Sequence, residues 1–246
     1  MRRDRVAGVD SDGMQSAIWA KGTFLARLAE NQAEQLLGMS RAVRYEAGSV
    51  LLSQGERTTH VCLLQPVDPG GVACAKVTAT LENGTETLLS IRVSGDLVGE
   101  QAALRMVPRA ATVTACSAVL VNVVTRERFL GFLREHPDAW EAVGSVMADR
   151  LDSANRRRLD FAAFDVVGRL SRVLVELVER HGQRVDTGHE IGVHLSQLEL
   201  GRLIGAREDA VGLAMRRLKA EGLVRPHYRK VTVTDLAALR GFAEQE

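Results

Sequence analysis

The stretch from Gly99 to Val113 combines residue types that could bind an anion. It reads Gly-Glu-Gln-Ala-Ala-Leu-Arg-Met-Val-Pro-Arg-Ala-Ala-Thr-Val. A glycine before a short helical segment offers free N–H groups to an anion. The guanidinium of Arg109 adds a planar fork that matches a phosphate group, and the carboxylate of Glu100 can accept a hydrogen bond from a sugar hydroxyl. The stretch therefore predicts a phosphate-binding segment.

A second group of chemically informative residues lies between Leu195 and Val233. This segment carries eight basic residues against four acidic ones, although the whole chain is almost neutral. Ser196 and Glu199 have the spacing of a helix capping box, Gly205 supplies a turn, and Gly222 ends a second helix. Helix, tight turn and helix predict a helix-turn-helix unit, and the alternating residues 224–233 predict a β-hairpin wing. A local basic face of this kind binds DNA phosphates.

The elements that position the first group are short strands. Residues 43–125 contain short runs rich in Val, Leu, Thr and Ile, separated by turn signals. Such spacing favours an antiparallel sandwich or barrel. Asn83-Gly84 predicts a hairpin with a type I′ turn, in which both central residues have positive φ.

One long helix is predicted from Ala139 to about Phe164. Residues at spacings of three and four form a narrow stripe, apolar at every position but Arg158 and flanked by charges: Trp140, Val143, Met147, Leu151, Ala154, Arg158 and Ala162. A narrow stripe is typical of a coiled-coil seam, which favours a dimerisation helix. Packing on its own domain is the alternative.

Composition and missing motifs exclude several classes of protein. The chain has 246 residues and a net charge of +1, which excludes binding of nucleic acid through bulk charge. The cysteines Cys62, Cys74 and Cys116 are odd in number and unclustered, so we expect no disulfide framework and a cytoplasmic protein. We expect no signal peptide and no membrane contact. No phosphate-loop motif is present, and the 189–194 run His-Glu-Ile-Gly-Val-His misses zincin spacing and is interpreted as a loop. We expect neither enzymatic activity nor a metal.

The motifs also resemble a known family. The stretch 99–113 is similar to the phosphate-binding cassette of cyclic nucleotide-binding domains. The segments Tyr45-Glu46-Ala47-Gly48 and Gln54-Gly55-Glu56 match the early turns of that family. Residues 165–170 resemble the hinge after the long helix of the cyclic-AMP receptor and fumarate-nitrate regulator (Crp/Fnr) family. From about Phe24 to Val233 the order of motifs is that of this family.

The resemblance implies roles for individual residues. Glu100 would hold the ribose 2′-hydroxyl, Arg109 the cyclic phosphate, and Gly99 with the amides around Ala110 and Ala111 would cradle that phosphate. Asn155 would read the purine edge, or else fix the register of a dimer seam. The predicted nucleotide-binding set is Gly99, Glu100, Gln101, Ala102, Arg109, Ala110, Ala111 and Asn155. The predicted DNA-binding set is Ser196, Gln197, Arg207, Glu208, Asp209, Arg216, Arg217, Lys219, Arg229 and Lys230.

Several positions depart from the family pattern. Gln101 replaces a usual aliphatic residue, and Ala110 replaces a Ser or Thr that donates to the phosphate in many bacterial members. In the second helix of the DNA unit, Glu208 stands in the place of a guanine-reading arginine and Leu213 in that of another. The family's usual DNA half-site is therefore not transferred to this chain.

The resulting prediction is an α+β protein in four parts. These are a flexible tail (1–22), an antiparallel β jelly-roll of the cyclic nucleotide-binding type (23–138), a long dimerisation helix (139–165) and a winged helix-turn-helix (166–246). The predicted function is a homodimeric transcription regulator that binds double-stranded DNA under control of cyclic AMP, or of cyclic GMP, with RNA polymerase as a further partner. The alternative is a regulator of the same fold that binds DNA constitutively or senses a different small molecule.

Overall fold

The computed structural model describes residues 19–68, 71, 73–228 and 230–245. Most of the predicted tail, 1–22, lies outside these residues, and so does Arg229. Trp19 and Ala20 already pack on the protein, and the backbone N–H of Ala20 donates to the carbonyl of Ser94 at 3.2 Å. Packed chain thus begins before residue 23.

The described chain alternates between strand-rich and helical regions. A short 3-10 helix, Leu25–Arg27, comes first. The α-helices are α1 (Glu30–Gly38), α2 (Glu100–Arg105), α3 (Arg126–Glu135), α4 (Pro137–Ala163), α5 (Val166–His181), α6 (Gln197–Ile204), α7 (Glu208–Ala220) and α8 (Leu236–Gln245). The strands are β1 (Ala42–Tyr45), β2 (Val50–Leu52), β3 (Val61–Gln65), β4 (Cys74–Thr80), β5 (Glu86–Val93), β6 (Leu97–Val98), β7 (Thr112–Ala115), β8 (Val119–Val124), β9 (Gln183–Val185), β10 (Gly188–Glu190), β11 (Val224–His227) and β12 (Lys230–Val233).

Two four-stranded antiparallel sheets form the N-terminal β domain. Their strand orders are β1-β8-β3-β6 and β2-β7-β4-β5. Alternate side chains from both sheets, among them Leu52, Leu64, Val113 and Val121, are almost fully buried between them. This packing confirms the predicted jelly-roll-like domain, because a sheet of alternating residues is stable only when its apolar face is covered.

The hairpin predicted at Asn83-Gly84 joins β4 to β5, but its turn type differs from the prediction. Gly84 has φ +80°, whereas Asn83 is not among the described residues of positive φ. The N–H of Leu81 donates to the carbonyl of Thr85 at 2.9 Å, which closes a longer loop than the two-residue type I′ turn. A longer loop with one left-handed glycine needs positive φ at one position only.

The long helix α4 has two different faces. One face packs on the β domain and on α5 and buries Ala139, Val143, Val146 and Ser153. The other face leaves large apolar side chains in solvent: Trp140 is 43% and Leu151 61% exposed. The predicted stripe therefore divides between the two faces.

The C-terminal domain packs α5–α8 against a small antiparallel sheet of order β11-β12-β10-β9. The wing forms as predicted, with Val224 opposite Val233 and His227 opposite Lys230. The interpretation of 189–194 as a loop is wrong at its start, because His189 and Glu190 belong to β10 and pair with β12. Two three-residue strands carry too few residues for a readable alternation.

The two domains share a continuous interface. One hydrophobic cluster contains Leu88, Ile91 and Val93 of β5 together with residues of α5, α6 and α7. Glu86 accepts a hydrogen bond from Arg202 of α6, and the hydroxyl of Thr87 donates to the carbonyl of Arg202 at 3.3 Å. The DNA-binding unit is thereby held against the β4-β5 hairpin. Within the described residues, no helix is long and apolar enough to cross a membrane.

Candidate functional site

A cavity of about 340 Å³ lies between the β domain and the long helix α4. Strands β2, β4, β5, β6 and β7 form its wall together with the segments at 99–102 and 109–111. The side of α4 that faces the β domain closes it. Helix α5 of the C-terminal domain also reaches it through Arg180. The cavity is therefore bounded by the β domain, the long helix and the first helix of the C-terminal domain.

Gly99 lies in the cavity wall and has a backbone conformation that favours glycine. It caps α2 with φ +85° and ψ +4°. A Cβ atom at this position would lie 2.5 Å from Nη1 of Arg109 and 3.0 Å from the carbonyl of His60. Glycine is thus required here for two reasons, the left-handed backbone and the close approach of the arginine.

Arg109 is buried, with 4% of its surface exposed. Its Nη1 donates to the carbonyl of Gly99 at 2.8 Å, its Nη2 to the carbonyl of His60 at 2.7 Å and its Nε to the hydroxyl of Thr58 at 3.1 Å. Burial lowers the pKa of Arg109, and burial followed by the charge of Arg109 lowers the pKa of His60. A guanidinium has five N–H donors, so two remain for an anion in the cavity.

Glu100 is buried as well, with 6% of its surface exposed. Arg150 of α4 donates from Nη1 to Oε1 of Glu100 at 2.8 Å, and from Nη2 to Oδ1 of Asp96 at 3.3 Å. The same Nη2 donates to the carbonyl of Leu97 at 2.7 Å. The predicted sugar-binding carboxylate is therefore fixed to the long helix by an ion pair that sequence spacing did not reveal.

The other predicted nucleotide-binding residues divide into two groups. Gln101, Ala102, Ala110 and Ala111 line the cavity. Asn155 is exposed and lies outside the cavity lining, where Ala154 stands instead. The predictions for these residues stay predictions.

The cavity lining contains four arginines besides Arg109 that are not among the predicted site residues. These are Arg92, Arg150, Arg157 and Arg180. Arg150 and Arg157 are seven residues apart on a helix and hence on one face, a spacing that could have identified them. No local pattern marks Arg92 on β5 or Arg180 on α5, because only the packing of the two domains brings them to the cavity.

The helix-turn-helix forms at the predicted residues. The hydroxyl of Ser196 accepts from the N–H of Glu199 at 3.1 Å, and Oε2 of Glu199 accepts from the N–H of Ser196 at 2.9 Å. This confirms the capping box. Gly205 ends α6 with φ +59°, and Gly222 follows α7 with φ +72°.

The outer face of α7 is open to solvent. Gln197, Glu208, Asp209 and Arg216 surround one shallow surface hollow, and Leu213 is 62% exposed beside it. Polar groups that can donate to or accept from base edges thus share one exposed face of α7 with an apolar side chain.

The other predicted DNA-binding residues are more widely spread. Arg207 and Lys219 are exposed at the two ends of α7. Arg217 points away from the hollow, because its guanidinium lies 5.5 Å from the ring centroid of Phe242 on α8. Lys230 is half-buried on the wing, with Nζ 3.4 Å from Oε2 of Glu190. The structure thus brings Gln197, Glu208, Asp209 and Arg216 together and separates Arg217 from them.

Comparisons with known protein families agree with this architecture. Residues 42–136 match the model of the cyclic nucleotide-binding domain, and residues 168–242 match that of the Crp-like helix-turn-helix domain. The two matches follow one another in the order seen in the structure. The chain is a transcription regulator of the Crp/Fnr type.

Individual relatives support the assignment. The regulator is 27% identical over 193 residues to the cAMP-activated global transcriptional regulator CRP of Salmonella typhimurium, which covers 77% of this chain and 88% of that protein. It is 26% identical over 160 residues to the CRP-like cAMP-activated global transcriptional regulator of Mycobacterium tuberculosis, covering 65% of this chain and 71% of that one.

A solved structure of the same fold is the c-di-GMP responsive global regulator CLP of Xanthomonas campestris. It superposes with a TM-score of 0.70 at 20% identity and covers 84% of this chain and 100% of that one. This likeness confirms the α+β architecture of the regulator. Its relatives and its fold are those of transcription regulators and not of enzymes.

Proposed function

We propose that the regulator is a homodimer whose binding to DNA is controlled by a cyclic nucleotide in the 340 Å³ cavity. The observation that carries this proposal is the position of the cavity. Its lining includes the cassette residues Glu100 and Arg109, the long helix, and Arg180 of the helix that begins the DNA-binding domain. A ligand in this position would contact the β domain, the long helix and the first helix of the C-terminal domain.

The effector would be held by the charges of the cassette. The two free N–H groups of Arg109 would donate to the cyclic phosphate, and Glu100 would accept from the ribose 2′-hydroxyl. Cyclic AMP is the first candidate, because relatives of the regulator are named as cAMP-activated; cyclic GMP is the second. Within the described residues, no cluster of side chains suits a metal ion.

The dimer would form along the exposed face of α4. Trp140, Met147 and Leu151 follow one another at spacings of seven and four, which is the repeat of a coiled-coil seam. Trp140 and Leu151 stay largely exposed in the single chain, at a cost in solvation that a second copy of the helix would remove.

The ion pair between Glu100 and Arg150 would transmit the effector signal. A ribose hydroxyl that donates to Glu100 would compete with Arg150 for the oxygen atoms of this carboxylate and would thereby shift the position of α4. An effector shifts the equilibrium only by its different affinity for the two arrangements. In the dimer, two α7 helices would then reach successive major grooves about 34 Å apart.

The remaining parts of the proposal follow from this role. DNA would be contacted by the hollow around Gln197 and Arg216 and by phosphate contacts from Arg207 and Lys230. A regulator of transcription works where the genome and RNA polymerase are, so we place the protein in the cytoplasm with RNA polymerase as a further partner.

Selection of binding sites from random DNA tests this proposal. The selection is run without nucleotide, with cyclic AMP and with cyclic GMP, and the affinity for the selected DNA is then measured by fluorescence anisotropy. We expect a palindromic site whose affinity rises at least tenfold with one nucleotide. Equal affinity under all three conditions would reject nucleotide control.

A second candidate function is DNA binding without a nucleotide switch. Two observations favour it: three of the donors of Arg109 are already satisfied inside the protein, and Glu100 is already neutralised by Arg150. Ala110 also lacks the hydroxyl found at this position in many bacterial members. The same selection decides between the candidates, because constitutive binding yields one site of equal affinity in all arms.

A further inference from the structure

Three arginines meet at the side of the cavity formed by β5, α4 and α5. They are Arg92, Arg157 and Arg180, and we call them the inner arginine cluster. All three line the same cavity as Arg109, and Arg92 and Arg180 also line a neighbouring cavity of about 300 Å³. The cluster brings cations from three separate elements to one place.

Arg92 is the most buried member of the cluster. Only 9% of its surface is exposed. Its Nη1 donates to the carbonyl of Ile91 at 3.0 Å, while its Nε has no hydrogen-bond partner among the described residues. Burial lowers the pKa of Arg92 to about 10, and the nearby positive charge of Arg150 acts in the same direction. A buried cation without a bonded anion is unfavourable, so the position requires a compensating negative group.

The carboxylates around the cluster are too few to supply that group. Asp96 and Glu100 are bonded to Arg150. Glu176 is shared by two members of the cluster, with Oε1 3.2 Å from Nε of Arg180 and 3.9 Å from Nη2 of Arg157.

Arg157 shares Glu176 with Arg180 and is only partly compensated. Its Nη2 donates to the hydroxyl of Ser153 at 2.9 Å and its Nη1 to the carbonyl of Leu89. Its Nε is buried without a partner among the described residues. Two arginines that line one cavity thus each keep a buried Nε without a partner among the described residues, and the cavity is already rich in positive charge.

We propose that the inner arginine cluster is a second phosphate subsite of the effector cavity, distinct from the one at Arg109. Guanidinium groups bind phosphate oxygens through paired, charge-assisted hydrogen bonds, and a phosphate here would compensate the positive charges of Arg92, Arg157 and Arg180 that line this side of the cavity. The phosphate belongs either to an effector with two phosphate groups, such as a cyclic dinucleotide, or to inorganic phosphate bound next to a mononucleotide. This inference rests on the proposed function in that it uses the same cavity.

The test compares the full-length wild type with the Arg92→Met variant. Methionine keeps an unbranched side chain of similar length and removes the charge. Arg134→Met, on the outer face of α3 and outside the cavity lining, is the matched control. Binding is measured by calorimetry at constant ionic strength for inorganic phosphate alone, cyclic AMP alone, cyclic AMP with phosphate, and cyclic di-AMP and cyclic di-GMP.

We expect R92M to weaken the binding of inorganic phosphate or of a cyclic dinucleotide at least tenfold, whereas the affinity for cyclic AMP alone changes less than twofold. R134M should change neither affinity. A cyclic dinucleotide affected in this way identifies a two-phosphate effector. An effect confined to the arms that contain inorganic phosphate identifies a separate anion. Equal affinities in wild type and R92M, or equal losses for every ligand including cyclic AMP, would overturn the subsite.

The melting temperature provides a second measurement. In phosphate-free buffer, R92M should melt at or above the temperature of the wild type, because a buried charge has been removed, and phosphate should stabilise only the wild type. A loss of stability in R92M under both conditions would overturn the proposal by assigning Arg92 a purely structural role.

The failure of the subsite differs from the failure of the proposed function. Cyclic AMP that binds equally to both proteins, with no phosphate effect, removes the subsite and leaves nucleotide control intact. Phosphate that binds through Arg92 in a protein that binds no cyclic nucleotide retains the subsite and removes nucleotide control.

Discussion

Replacing Arg109 with lysine separates the charge of this residue from the planar geometry of its guanidinium. Arginine bonds to Gly99, His60 and Thr58 at 2.7–3.1 Å in three directions, whereas an ammonium group lies at one point and has a different reach. We expect R109K to lose two of the three bonds. Both predicted consequences, lower stability and weaker nucleotide binding, follow from geometry and not from charge.

The size of the effect follows from the burial of the partners. An acceptor that loses its donor inside a protein costs about 1–3 kcal/mol, and the lower half of that range applies because the cavity admits water. Two lost bonds therefore destabilise the protein by about 2–4 kcal/mol. For a protein of this size the melting temperature falls by about 2–4 °C per kcal/mol, so R109K should melt of the order of 10 °C lower.

Arg126→Lys is the matched control. Arg126 donates a single bond, from Nε to the carbonyl of Ala103 at 2.7 Å, and lies outside the cavity lining. Loss of this hydrogen bond should lower the free energy of unfolding by about 1 kcal/mol and leave the affinity for nucleotide unchanged.

Differential scanning calorimetry and titration of cyclic AMP measure the two effects. R109K should bind cyclic AMP at least tenfold more weakly than R126K, because one charged hydrogen bond contributes about 1.5–3 kcal/mol. Equal melting temperatures of R109K and R126K would refute the structural part of this reasoning, and equal affinities would refute the assignment of Arg109 to the phosphate.

Three further predictions concern other regions. Arg216→Ala should reduce the slope of the logarithm of the DNA-binding constant against the logarithm of salt concentration by about 0.9 for each lost phosphate contact. Arg217→Ala should leave this slope unchanged, because Arg217 faces α8. Equal slopes for both variants would contradict the separation of these residues. His181 is half-buried, and the loss of solvent around its ring lowers its pKa from the usual value. Its neutral form therefore stabilises the fold above about pH 6.5, and this contribution is lost as the pH falls below that value. His181→Asn should flatten the decline in melting temperature between about pH 7.5 and 5.5, and a parallel decline would rule out this residue. Burial raises the pKa of Cys62 to about 12, whereas a hydrogen bond from the thiol of Cys74 lowers the pKa of Cys116. Mass spectrometry after brief treatment with iodoacetamide should therefore find Cys116 alkylated first. Preferential labelling of Cys62 would contradict the burial argument.

The DNA-binding unit was predictable from sequence because its signals are local. Ser196 and Glu199 are three residues apart, so the capping box needs only one helical turn to form. Gly205 and Gly222 mark ends that require left-handed backbone. The strands of the β domain were predictable for the same reason, since alternation and turn residues act over a few positions.

The turn at Asn83-Gly84 shows where local signals fail. The dipeptide predicts a hairpin, and the hairpin forms, but Leu81 and Thr85 close a longer loop. The register of β4 against β5 sets the loop length, and that register depends on which side chains the core buries.

The sequence by itself determined the order of the domains, the capped helices and the wing, because each depends on neighbours along the chain. Only the tertiary structure decided that Arg150 bonds to Glu100, that three N–H groups of Arg109 are bonded within the protein, and that Arg92 and Arg180 reach the same cavity. These contacts join segments that are far apart in sequence, and a side chain's charge acts on whatever the packing of sheets and helices places within a few ångströms of it.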